Sequence, residues 1–102
     1  MARQTRSTED WFLDSTTAED GVSTGGFDSV TVLNFKTSDF GVKVFFGGFF
    51  KFGLNPGESR TEALNGKNVV ITVRPGSTPE KGETAAGVFD LANARQPAIA
   101  NC

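Results

Sequence analysis

The side chains able to carry chemistry in this 102-residue chain are twelve carboxylates, ten Lys or Arg and one cysteine, with no histidine and no tyrosine. Without imidazole there is no His-dependent nucleophile, no His general base near neutral pH, and no His-containing zinc or iron site. Cys102 alone cannot make a thiolate cluster; as the last residue it is either a free thiol or an intermolecular link. Carboxylates adjoin at Glu9-Asp10 and Glu19-Asp20, but in polar surroundings where nothing raises a pKa. They read as solvated charges, and they do not follow the D-x-D-x-D-G spacing of a calcium loop. The GVSTGG segment at 21–26 offers backbone N–H groups to a phosphate. A phosphate-cradling loop needs a following Lys-Ser/Thr, and Phe27-Asp28 stands there instead. The sequence therefore predicts no enzyme, no catalytic residue, no metal, no cofactor and no small-molecule substrate.

What remains is binding through aromatics and cations. Val42 to Leu54 reads VKVFFGGFFKFGL and holds five of the ten phenylalanines, with every even position apolar or glycine. That alternation assigns Val42, Val44, Phe46, Phe50, Phe52 and Leu54 to a core face, and leaves Lys43, Phe45, Phe49 and Lys51 on the other. Three uses of that second face are expected. Rings beside lysines suit stacking on single-stranded nucleic acid, and Gly48-Phe49-Phe50-Lys51-Phe52 matches the second half of the aromatic strand of RNA-recognition sheets. The first half and the βαββαβ alternation are missing, and the chain is net acidic at −2. Phenylalanines flanked by lysines around glycines also suit a membrane-inserting hairpin, although only one long alternating strand is present. The leading reading is a subunit contact, because apolar positions on both faces of one hairpin exceed what a small core needs.

The charges are segregated. Residues 1–28 balance at −4, residues 29–79 at +3 and residues 80–102 at −1, which suggests that the acidic leader lies against the basic region, in the same chain or in a neighbour. After the polar start, Ser7-Thr8-Glu9-Asp10 fits a helix N-terminus. It precedes Trp11, Phe12 and Leu13, a candidate anchor on the domain or on a partner. Residues 14–29 read as a loop or linker. No apolar stretch has signal-peptide length and none nears the ~20 residues of a membrane helix, so cytoplasmic synthesis is expected, with the final location open and a virion among the options.

The elements that must position the aromatics follow from alternation and turns. Strands are expected over Val30–Lys36, in the VKVFFGGFFKFGL hairpin, weakly over Arg60–Leu64, and over Asn68–Arg74. Turns are expected at Pro56-Gly57 (type II) and Asn65-Gly66 (a type I′ hairpin). Within the hairpin, a two-residue turn at Gly47-Gly48 would throw the two apolar sets onto opposite faces; a three-residue loop at 47–49 keeps them together and pairs Phe46 with Phe50. Thr84–Arg95 fits helix or strand, and QPAIANC at the end reads as extended. The fold expected is all-β: a small antiparallel β-sandwich or barrel over 29–102 with an extended N-terminal arm over 1–28. The function expected is a non-catalytic structural or interaction module. It would be a self-assembling subunit or a protein decorating a larger particle such as a viral or phage shell, and its partner would be a second copy or a larger protein assembly.

Overall fold

The structure, a computed structural model, describes residues 6–93. Every regular element among them is a strand: β1 (Arg6–Asp14), β2 (Asp20–Ser23), β3 (Ser29–Asn34), β4 (Val42–Phe46), β5 (Phe49–Leu54), β6 (Ser59–Ala63), β7 (Val70–Pro75) and β8 (Thr84–Ala92). They form two four-stranded sheets, sheet A in the order β1-β8-β3-β6 and sheet B in the order β2-β7-β4-β5. The pairs β1·β8, β2·β7, β3·β6 and β4·β5 are nested, all antiparallel. The chain is thus one long ribbon doubled back at Gly47-Gly48. It is then rolled so that β3 also meets β8 and β4 meets β7. This is the strand order of a double-sheet jelly roll.

The core between the sheets is set by alternation. Val30 and Val32 of β3, Val42 and Val44 of β4, Ile71 and Val73 of β7, and Ala85, Phe89 and Leu91 of β8 all point inward and are buried. Two polar residues join the layers. Asn34 in sheet A donates through Nδ2 to the carbonyls of Leu54 (3.1 Å), at the end of β5 in sheet B, and of Phe40 (3.2 Å). Buried Thr24, just after β2, accepts from the Val69 N–H (2.9 Å) and donates to the Lys67 carbonyl (2.8 Å), fastening the β6–β7 loop to the β2–β3 loop.

The strand assignments for 30–36, 60–64 and 68–74 agree with the structure within two residues at each end, and the Pro56-Gly57 turn closes with the Glu58 N–H on the Asn55 carbonyl and Gly57 at φ 88°. Three expectations are corrected and one open alternative is decided. Residues 6–23 are not an arm: β1 and β2 each complete a sheet, so the sandwich begins by residue 6 rather than 29. Ser7 to Asp10 begins a strand, not a helix, because the alternation of Trp11 and Leu13 into the core outweighs a local helix-start signal. Thr84–Ala92 is strand throughout. Its Gly87 is where the Trp11 indole crosses β8: a Cβ there would overlap the Leu33 carbonyl and lie 2.5 and 2.6 Å from Cζ2 and Cε2 of the indole. Asn65-Gly66 forms a turn with both residues at positive φ, 56° and 76°. It does not make a hairpin, because it joins β6 of sheet A to β7 of sheet B. Residues 1–5 and 94–102, including Cys102 and the QPAIANC segment, lie outside the described residues.

Candidate functional site

The site is built on the β4–β5 hairpin at the centre of the ribbon. Gly47 (φ 59°) and Gly48 (φ 88°) form a two-residue turn in which both positions need left-handed backbone, which glycine adopts without a Cβ penalty. The parity conflict this creates is resolved inside the strand, not in the loop. Val42 pairs with Leu54 and Val44 with Phe52, then the register shifts and Phe45 pairs with Phe50 and Phe46 with Phe49. Lys51 is the extra residue of a β-bulge. The bulge leaves Phe52 and Leu54 buried in the core while turning Phe50 outward, so Phe50 is 59% exposed rather than a core residue.

The outer face of sheet B is an aromatic surface framed by cations. Phe45 and Phe50 meet edge to face with ring centroids 5.9 Å apart. The Arg74 guanidinium lies 4.8 Å over the Phe45 ring and is held from the other side by Glu19 at 3.0 Å. Lys43 lies directly opposite Arg74 across β4·β7. Like charges so placed repel, and the Glu19 carboxylate and the Phe45 ring offset this for Arg74. Val70, on the same outer side of β7, is 54% exposed. At the tip Phe49 is 80% exposed. Lys51 Nζ sits 5.7 Å over the Phe46 ring, not over Phe45, because the bulge carries it to that side. Phe46 in turn packs edge to face on Phe52 at 6.2 Å and borders a hollow of about 340 Å³ with Leu64, Lys67 and Val69.

Of the residues singled out from sequence, Lys43, Phe45, Phe49 and Lys51 are brought together on this hairpin. Trp11 and Leu13 are not at a surface; they are 1% and 0% exposed within the protein's own core. Phe12, between them, faces out from sheet A and is 46% exposed. Phe50, Val70 and Arg74 also belong to the surface, although sequence reasoning does not single them out as site residues. The outward parity of Val70 and Arg74 is readable in NVVITVR, whereas the exposure of Phe50 depends on a bulge that leaves no mark in the sequence.

The open sheet edges are blunted. β2 is four residues long, β6 carries Arg60 and Glu62, and β5 has its bulge and Lys51. On β1 the Phe12 N–H donates to the Asp20 carboxylate at 3.0 Å. These devices discourage strand addition at the edges. The perturbed ionisable groups are structural. Asp14 is held below the usual carboxylate range by hydrogen bonds from Thr16 and Thr17 in a turn, and Asp90 by hydrogen bonds from Arg6. Both shifts run opposite to what a general acid requires. Among the described residues no group of three or more His, Cys, Asp or Glu is placed to hold a metal ion, and no helix is long and apolar enough to cross a membrane. Comparison with protein-family models, curated proteins and solved structures gave no match.

Proposed function

We propose that the protein is a non-catalytic, self-associating β subunit that uses the outer face and tip of the β4–β5 hairpin as its contact surface. The observation that carries this reading is the exposure of Phe50 and Val70, at 59% and 54%, on the outer face of sheet B, with Phe49 80% exposed at the hairpin tip beside them. Clustered rings of this kind mark a surface that another macromolecule covers. Membership of a larger shell, as in the viral capsid proteins that use jelly rolls, rests on fold-level analogy alone.

Stacking on single-stranded nucleic acid is the alternative reading, drawing on Lys43, Lys51 and Arg74. It is disfavoured because the Phe45 ring is already engaged by the Arg74 guanidinium and by the Phe50 ring, which leaves Phe50 as the open ring on that face. Membrane insertion of the tip has Phe49 in its favour and no second long apolar hairpin among the described strands.

The test is size-exclusion chromatography with light scattering on the full chain and on Phe49→Ser/Phe50→Ser. Association that the double variant loses, with its thermal unfolding unchanged, supports the proposal. Identical masses for the two proteins contradict it, and binding of single-stranded RNA that weakens with salt by the unchanged protein favours the alternative.

A further inference from the structure

The sandwich places its charges on opposite sides. On the outer face of sheet A the strands carry Arg6 against Asp10, Asp14 and Asp90, a net of −2; on that of sheet B they carry Lys43 and Arg74, a net of +2 that Glu19 on the Arg74 guanidinium reduces to +1. Both outer faces also expose apolar side chains. On sheet A, Phe12 pairs with Ala86, whose carbonyl accepts from the Phe35 N–H at 2.9 Å, so two phenylalanines, 46% and 37% exposed, flank one alanine. The next row across the sheet is Asp10, Val88 and Leu33, with Asp10 exposed and the other two half-buried. On sheet B the corresponding surface is Phe45, Phe50 and Val70 with Lys43 and Arg74.

Glu19 of the acidic leader reaches Arg74 within one molecule, but the outer face of sheet A cannot meet that of sheet B there, because the core lies between them. We propose that they meet between molecules: the outer face of sheet A of one copy stacks on the outer face of sheet B of the next. Charge complementarity selects this arrangement over the alternative in which two sheet B faces mate, since that contact would bring Lys43 and Arg74 against their own copies. A face that pairs with a different face is heterologous, so the assembly grows head to tail into a ring or a filament instead of stopping at a two-fold dimer. Four strands ~4.8 Å apart and six residues of ~3.3 Å make a face of about 400 Å². That is small beside the ~800 Å² per partner of a standard interface. Each contact is accordingly weak, and association depends on concentration and on salt.

This inference rests on the self-association proposed above, and the experiment separates the two. One variant blocks sheet A (Asp10→Lys/Phe12→Ser) and the other blocks sheet B (Lys43→Glu/Phe50→Ser); all four positions are solvent-exposed. Sedimentation of each alone is expected to show monomer, and an equimolar mixture is expected to show a 1:1 dimer and nothing larger, because each retains one intact face. If either double variant loses its cooperative melt, the single charge changes Asp10→Lys and Lys43→Glu replace it, with each expected to weaken association at least tenfold. A sheet A variant that assembles like the unchanged protein overturns the stacking, as does a mixture that stays monomeric, while leaving self-association intact. An unchanged protein that is itself monomeric removes both.

Discussion

Gly87 is the residue on which the packing of sheet A turns. The buried Trp11 indole lies across it and the Leu33 carbonyl abuts it from β3, so no side chain fits between them. Gly87→Ala is expected to cost about 3 kcal/mol, at the upper end of what overpacking does, read as a lower urea midpoint. Gly53 on the exposed edge strand is the contrast: its Cβ would meet only the Val42 carbonyl, at an ordinary 3.5 Å, and Gly53→Ala is expected to be neutral or to stabilise by about 0.5 kcal/mol. Equal losses at both positions would contradict this packing. Asp90 gives a pH test. Hydrogen bonds from Arg6 hold its carboxyl below the ordinary range; partial desolvation opposes them and the Arg6 charge adds to them. With the folded pKa below the unfolded one, the stabilisation is present above about pH 4 and is lost as pH falls through the folded value. The urea midpoint of Asp90→Asn should therefore lie below that of the unchanged protein at neutral pH and converge with it in acid. A difference that stays constant with pH would show that the pair does not act through its ionisation.

Alternation makes several elements readable from the order of residues alone. Ile71 and Val73 inward, and the division of β3 into a Val30, Val32, Asn34 face and a Thr31, Leu33 face, follow from period two, and the Pro56-Gly57 turn from residue type; which face of β3 is buried is settled by the packing. In the central hairpin the even-position pattern correctly implies that something must reconcile parity. A loop of three residues and a turn of two with a bulge both satisfy that condition, and which one forms is decided by the fit of the Gly47-Gly48 turn to strand twist and by the Gly47 N–H reaching the Val70 carbonyl at 2.9 Å. β1 is hidden for a different reason. Nothing local in RSTEDWFLD prefers a strand; it becomes one because β8 offers a long partner and Gly87 a seat for Trp11. Removal of residues 1–14 is consequently expected to abolish the cooperative thermal transition, because it strips an edge strand and two core side chains. A truncated chain that still melts cooperatively would mean that β1 is dispensable to the sandwich.

At the scale of the whole molecule, the nested ribbon explains why the aromatic stretch dominates the surface. It is the centre of the roll, and closing it brings β7 alongside β4, so that Val70 and Arg74 complete a face whose other members are far away in sequence. The same rolling separates the acidic β1 from the basic hairpin by the thickness of the core and turns a charge pattern along the chain into one across the molecule. The proposed self-association would use both patterns, and its most direct measurement is sedimentation velocity of the unchanged chain over a concentration series from about 10 to 500 µM, a range matched to weak contacts. The weight-average sedimentation coefficient is predicted to rise steadily with concentration and to fall back when salt is raised. A coefficient that stays at the monomer value throughout would contradict self-association through the hairpin face.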